Sequence, residues 1–166
     1  MQFDSQNAVL PLIRATLRQD AEATAEDPTP AGQIIAAVRS GAEGEEGIGR
    51  LAVGTAAAAG AVTEGWVNAR GGSVADFLDL LPRHAPPGAE HVPEIVRALL
   101  DPGPRPFFVV MGDLVRQGEV GLHELITSLA DYSAGLIADL ERDGVRSADE
   151  SLAEVEALLR DWAAQG

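Results

Sequence analysis

The sequence predicts an all-α fold, a compact bundle of about seven or eight helices with a central helix rich in small residues and an antiparallel C-terminal helix pair. Apolar residues recur at spacings of three and four in at least six segments, which is the period of a helix with one buried face. Capping residues, glycines and prolines punctuate these segments. A single segment, residues 107–111, has the composition of a strand, and a lone strand would leave its backbone groups unpaired.

Size and composition agree with a single helical domain over residues 1–166, and the proline-rich residues 101–106 are the best candidate for a division into subdomains. A chain of 166 residues with 46% hydrophobic content can bury a core without disulfides or metals. Cysteine and lysine are both missing from the sequence. This excludes disulfides, thiolate chemistry, cysteine-bound zinc, iron–sulfur clusters, lysine Schiff bases and P-loop phosphate binding.

The chain is strongly acidic, with 12 arginines against 26 aspartates and glutamates and a formal net charge of −14. Such a field repels nucleic acid and anionic lipid, so neither is expected as a partner. The longest weakly polar stretch, residues 51–62, is too short to span a bilayer. Residues 1–7 lack the features of an export signal, and we expect a cytoplasmic protein.

The first quarter of the chain predicts two helices and a loop. Apolar spacing predicts a helix over residues 8–26, with Pro11 in its first turn. Pro30 suits the first position of a short helix that stops at Gly41. Residues 41–47 combine glycines with three glutamates, and we expect this segment to be the most mobile loop.

The small-residue helix is predicted over residues 48–69 and ends at the glycine pair that begins with Gly71. Its alanines and glycines confer little intrinsic stability, so tertiary packing has to stabilise it. We therefore expect a buried central helix in which Gly54, Ala57 and Gly60 lie at tight contacts with neighbouring helices.

Three shorter helices are predicted next. Ser73 can cap a helix whose length Pro82 limits, and Pro93 begins another. Residues 107–111 are interpreted as the start of a helix that continues through Val115, because a strand would have no pairing partner.

The C-terminal third predicts the antiparallel pair, about residues 122–163. The first helix runs from Leu122 with uninterrupted amphipathic spacing until Gly144. Ser147 and Glu150 form a capping box that opens the second helix. The short connection between the two helices favours an antiparallel arrangement.

Two pairs of residues resemble a metal-binding pattern. His91 and Glu94 lie close together at a helix entrance, but Pro93 disturbs the regular helical geometry that such a pair needs. Glu119 and His123 are four residues apart and could share a face. Two ligands do not make a site, and surface histidines at helix starts are common. We therefore expect no metal and no cofactor, with these four residues as the weak candidates.

Two motifs resemble catalytic or phosphate sites, and a simpler interpretation is favoured for each. Ser73 lies in a sequence close to a nucleophile elbow, yet the preceding segment is helical and the hydroxyl has a sufficient role as a cap. The glycines within residues 41–49 precede a helix, as in phosphate-binding loops, but three glutamates accompany them.

The sequence thus favours a non-catalytic acidic helical protein that acts as a protein-interaction or regulatory module. Residues 131–161 contain nine acids and three arginines, and exposed Asp139, Asp143, Glu150 and Glu154 are expected to steer a cationic protein partner. A homo-oligomer stays open. The alternatives are a small-molecule-binding helical domain and, less favoured, a hydrolase that depends on a metal or a serine.

Overall fold

The computed structural model describes residues 5–22, 30–84, 91–101, 103, 105–118 and 121–165. Within these ranges the chain forms eight α-helices and no strand, which confirms the all-α prediction and the helical choice at residues 107–111. The helices are α1 (Ser5–Glu22), α2 (Pro30–Arg39), α3 (Gly44–Ala69), α4 (Val74–His84), α5 (Val92–Leu100), α6 (Phe107–Arg116), α7 (Leu122–Arg142) and α8 (Ala148–Gln165).

α3 is the central helix, as its composition predicts. It packs against α1, α2, α4, α5, α7 and α8, and its most extensive contact is with α7. The alanine run at 56–59 is buried. A Cβ atom at Gly54 would lie 2.8 Å from Val9 Cγ2 in α1, and one at Gly60 would lie 3.5 Å from Leu99 Cδ1 in α5. The small residues therefore allow neighbouring helices to approach the α3 backbone closely.

α1 begins earlier than predicted. The helix starts at Ser5, so the expectation that Pro11 lies in the first turn is wrong, and the proline is inside the helix. A proline at such a position lacks the N–H that would extend the backbone ladder. Burial of apolar side chains on both sides of it, including Val9 and Leu12, offsets that cost. The predicted end of this helix, residues 23–26, lies outside the described residues.

The predicted loop over residues 41–47 is shorter in the structure, because α3 already begins at Gly44. Glu45 and Glu46 lie in its first turn, where the helix dipole favours negative charge. Arginines also balance them: Arg39 Nε lies 3.3 Å from Glu45 Oε1, and Arg50 Nη2 lies 2.7 Å from Glu46 Oε1. The glutamate charges that led to the prediction of a hydrated loop therefore stabilise the start of a helix.

α4 continues two residues beyond Pro82 to His84, so the proline does not limit the helix as expected. Its missing N–H would have bonded to the carbonyl of Leu78, four residues earlier. That carbonyl instead accepts a hydrogen bond of 3.0 Å from Arg97 Nη2 of α5. A side chain from a neighbouring helix therefore replaces the backbone bond that the proline removes.

The two C-terminal helices have the predicted boundaries. α7 ends before Gly144, which has a φ of 69°, and the Val145 N–H bonds to the carbonyl of Leu140 at 3.0 Å. Ser147 caps α8, because its Oγ accepts the Glu150 N–H at 3.2 Å. α7 and α8 contact each other, but α8 packs more extensively on α3.

α3 and α7 run in the same direction. Thr63 contacts Tyr132, and further along both helices Arg70 contacts Asp143, so residue numbers rise together. The C-terminal ends of the two helices therefore lie side by side. This places the last turn of α7 next to the last turn of α3.

Candidate functional site

Two of the predicted docking residues, Asp139 and Asp143, belong to a network at the paired ends of α3 and α7. Arg70 Nη2 donates to Asp139 Oδ2 at 2.7 Å and to Asp143 Oδ2 at 2.5 Å. Trp66 Nε1 donates to the same Asp139 oxygen at 2.9 Å, and the Arg142 guanidinium donates to the other. We call these five residues the helix-end cluster.

Electrostatics explains why arginines gather there. The C-terminal end of a helix carries partial negative charge, and here two such ends adjoin two carboxylates. The pKa of Asp139 is lowered, chiefly by the hydrogen bond that Trp66 donates to its carboxylate. The hydrogen bond from Arg142 and the positive charge of Arg70 lower it further, although partial burial acts in the opposite direction. The pKa of Arg70 is raised, chiefly by its hydrogen bond with Asp143. Both groups are stabilised in their charged forms.

Aromatic contacts extend the cluster to α4. The Arg70 guanidinium carbon lies 4.6 Å from the centroid of the Trp66 ring, a cation–π contact, and the ring of Phe77 lies 5.1 Å from Trp66. The helix-end cluster thus connects α3, α4 and α7. Its two acids form ion pairs with arginines of the same chain, so their first role is to stabilise the contact between α3 and α7.

The other two predicted docking residues lie on one flank of α8. Glu150 and Glu154 share this flank with Leu158 and Asp161, at spacings of four, four and three residues. All four side chains are exposed, and Leu158 retains 40% of its surface. We call them the α8 stripe.

One acid of the α8 stripe is neutralised within the chain. Arg146 Nη1 lies 2.5 Å from Glu154 Oε2, and both groups cover Gly65 of α3, where a Cβ atom would meet Glu154 Oε2 at 3.3 Å. Glu150 and Asp161 form no ion pair with any residue in the described part of the chain. The described residues thus leave two acids without a neutralising arginine beside an exposed leucine.

Of the four weak metal candidates, the structure describes His91, Glu94 and His123. His91 occupies the N-cap position of α5 and Glu94 lies exposed in its first turn, whereas His123 lies exposed in α7. Glu119 lies outside the described residues. Across the described ranges, no group of three or more histidines and acids is arranged to hold a metal ion.

Ser73 has the capping role that the sequence favours. Its Oγ accepts the Asp76 N–H at 3.3 Å, and a helix followed by a glycine turn, rather than a strand, precedes it. The glycines near position 44 lead into a helix whose first turn carries Glu45 and Glu46, and these carboxylates would repel a phosphate group.

A partly buried hydroxyl pair joins α3 and α7, and sequence patterns give no indication of it. Thr63 Oγ1 donates to the Ala59 carbonyl at 2.7 Å, so the Tyr132 hydroxyl, 2.7 Å away, is the donor to Thr63. Burial raises the pKa of Tyr132 to about 12. The phenol therefore stays neutral and acts as a hydrogen-bond donor within the core.

Sequence reasoning missed three contributors to these sites. Arg70 could have been found, because it stands immediately before the glycine pair that ends α3 and basic residues favour helix C-termini. The roles of Arg146 and Leu158 could not, because they depend on how α8 packs on α3.

No family model, curated protein or solved structure matches the chain. Among the helices that the structure describes, none has the length and apolar character needed to cross a bilayer.

Proposed function

We propose that this protein is a non-catalytic interaction module that binds a basic protein partner through the α8 stripe. The observation that carries the proposal is the exposed flank of α8, where Leu158, 40% exposed, shares a helix face with the exposed acids Glu150, Glu154 and Asp161. An apolar contact residue surrounded by charge is the usual composition of a small docking surface.

The charge distribution supports a cationic partner. Residues 131–161 carry nine acids and three arginines, and the whole chain carries a formal charge of −14. Long-range attraction of this kind raises the rate of encounter with a positively charged surface. Glu150 and Asp161 supply this attraction most directly because the described chain does not neutralise them.

The partner chemistry follows from the spacing of the α8 stripe. Acids at both ends and a leucine between them fit a segment with arginines or lysines flanking an apolar side chain. A helix presents such residues at intervals of three and four, so an amphipathic basic helix is the partner that fits best.

A designed helical peptide with lysines along one face and leucines beside them is a suitable probe. We expect Glu150→Gln combined with Asp161→Asn to weaken its binding to the full chain at least fivefold, measured by isothermal titration calorimetry. The control is Asp79→Asn combined with Glu94→Gln, which removes two exposed acids from α4 and α5 and changes the net charge equally. The control variant should bind within twofold of the natural sequence.

Equal weakening by both double variants would mean that the peptide senses only net charge, and the α8 stripe would then have no special role. Replacing Leu158 with glutamine separates the two contributions. It should weaken binding while leaving the salt dependence of the affinity unchanged, because it alters apolar contact and not charge.

A further inference from the structure

An arginine of this chain already occupies one acid of the α8 stripe. Arg146 stands in the turn between α7 and α8, and its Nη1 donates to Glu154 Oε2 at 2.5 Å. The backbone N–H of Arg146 donates to the carbonyl of Leu140 in α7 at 3.3 Å, so the turn fixes the point from which the side chain extends. The arginine therefore reaches Glu154 from a defined position on its own chain.

α3 provides the surface on which this ion pair lies. A Cβ atom at Gly65 would lie 3.3 Å from Glu154 Oε2 and 3.5 Å from Arg146 Nη1, so the glycine leaves room for both groups. The Arg146 side chain is 25% exposed, whereas that of Glu154 is 56% exposed. The arginine is thus mostly covered, while the carboxylate that it neutralises is still open to solvent.

Arg146 is the only basic residue that pairs with an acid of the α8 stripe in the part of the chain that the structure describes. Arg142, the arginine nearest to it in sequence, donates to Asp139 instead. The remaining charged residues within four positions of Gly65, Arg146 or Glu154 are acids, namely Glu64, Asp143, Asp149, Glu150 and Glu156. Release of Arg146 would therefore leave the Glu154 carboxylate charged and uncompensated.

We propose that Arg146 is an internal competitor that occupies Glu154 until a basic partner displaces it. This inference rests on the proposed function, since it concerns the same surface. An arginine or lysine of the partner can replace Arg146 at Glu154, because both make charge-assisted hydrogen bonds to a carboxylate. Exposed ion pairs are weak, so Arg146 lowers the affinity for a basic partner only about threefold. The contact sets the affinity of the α8 stripe without closing it.

The helical probe peptide with lysines along one face tests this competition, by calorimetry on the full chain. Arg146→Gln should tighten its binding about threefold, because the carboxylate of Glu154 becomes available. The matched control is Arg160→Gln, which removes the same charge from α8 and releases Glu156 from its ion pair. Glu156 is two residues from Glu154, and residues two apart do not face each other on a helix. The control should therefore change the affinity by less than about 1.5-fold at physiological salt, where distant charges are screened.

A second substitution identifies the origin of the gain. Adding Glu154→Gln to Arg146→Gln should abolish it, because the released carboxylate is then gone and the net charge returns to that of the natural sequence. Circular dichroism should show unchanged helix content in all variants. A gain that persists without Glu154, equal gains from Arg146→Gln and Arg160→Gln, or no gain from Arg146→Gln would each overturn the proposal.

The natural sequence offers a test that needs no substitution in the ion pair. The Nε–Hε signal of the Arg146 side chain, followed by nuclear magnetic resonance, should shift as the peptide displaces the guanidinium from Glu154, and the signal of Arg160 should shift far less. An Arg146 signal that stays in place at saturation would overturn the competition. Failure of the combined Glu150→Gln and Asp161→Asn changes to weaken binding would instead contradict the α8 stripe itself. Where that weakening is present, the Arg146 results decide the role of Arg146 alone.

Discussion

Asp139 is a partly exposed acid whose carboxylate helps to hold two helices together. Its carboxylate accepts hydrogen bonds from Trp66, Arg70 and Arg142, and its side chain is 30% exposed. A neutral amide keeps the size of the group but loses the charge that makes these bonds strong. The sequence predicts a docking acid at this position, and the structure gives the residue a role in joining α3 to α7.

Asp139→Asn is expected to lower the free energy of unfolding by about 1 kcal/mol, a value reduced for partial solvent exposure. Urea denaturation followed by tryptophan fluorescence measures it. Asp161→Asn, at an exposed position on α8, is the control and should change stability by less than about 0.5 kcal/mol. Equal effects of the two variants would contradict the role of Asp139 in the helix-end cluster.

The pH dependence of that difference has a definite sign. The pKa of Asp139 in the folded protein is lowered from 3.8, so the folded state binds the proton more weakly than the unfolded state does. Its contribution to stability is therefore present above about pH 4 and is lost as the pH falls through the lowered folded value. The stability difference between the natural sequence and Asp139→Asn should shrink in acid, and a difference that grows there would contradict this assignment.

Tyr132 offers a cleaner titration because it is the only tyrosine in the sequence. Phenolate absorbance in the ultraviolet should show a midpoint of about 12 for the folded chain. The control is the same protein unfolded in guanidinium chloride, where the midpoint should be about 10.

The raised pKa of Tyr132 also determines how the stability of the folded protein changes at high pH. The burial that raises this pKa favours the neutral phenol, so its contribution is fully present below about pH 10 and is lost as the pH rises through about 12. A folded-state midpoint near 10 would show that the Thr63–Tyr132 pair is open to solvent.

At the scale of whole helices, glycines in the centre of the bundle differ from glycines on its surface in the space around them. Gly54 lies in α3 against Val9, whereas Gly135 lies in α7 with nothing within 4 Å of an added Cβ atom. The same substitution should therefore have opposite effects in the two helices.

Gly54→Ala should destabilise the protein by about 1 to 3 kcal/mol, since its Cβ atom would lie 2.8 Å from Val9 Cγ2. Gly135→Ala should stabilise it by up to about 1 kcal/mol through helix propensity alone. Thermal unfolding of both variants gives the comparison. Shifts of the melting temperature in the same direction would mean that α3 is not held as closely to α1 as described.

Several helix ends were predictable because they depend on local chemistry. Ser73 and Ser147 cap the helices that follow them, and Gly144 adopts a positive φ that other residues rarely adopt. Each of these effects acts within a few residues, so the sequence around it is sufficient.

Contacts between distant residues were not predictable in the same way. Arg97 of α5 compensates for Pro82 of α4, and Arg70 donates to Asp139, 69 residues later in the chain. Such pairs depend on which helix ends meet, and periodicity does not determine that. The same limit applies to the candidate site. The sequence shows that the C-terminal helices are acidic, but only the packing of the helices shows which of these acids form ion pairs within the chain.

At the scale of the whole molecule, negative charge dominates. The chain carries a formal charge of −14, and the α8 stripe places acids around the exposed Leu158. This distribution suits a basic partner.

Salt should therefore weaken the binding of the basic probe peptide, because screening removes the attraction between its lysines and the acids of the α8 stripe. Calorimetry at several salt concentrations measures the effect. An affinity that does not change with salt would contradict the electrostatic part of the proposal.

The most direct test of the central claim is to locate the probe peptide on the protein by nuclear magnetic resonance. Backbone amide resonances of the isotopically labelled full chain are followed as the peptide is added. The largest shifts should fall on α8, at and around Glu150, Leu158 and Asp161, with much smaller shifts on α4 to α6. Shifts concentrated on α4 to α6, or spread evenly over the acidic surface, would contradict the proposal that the α8 stripe is the docking site.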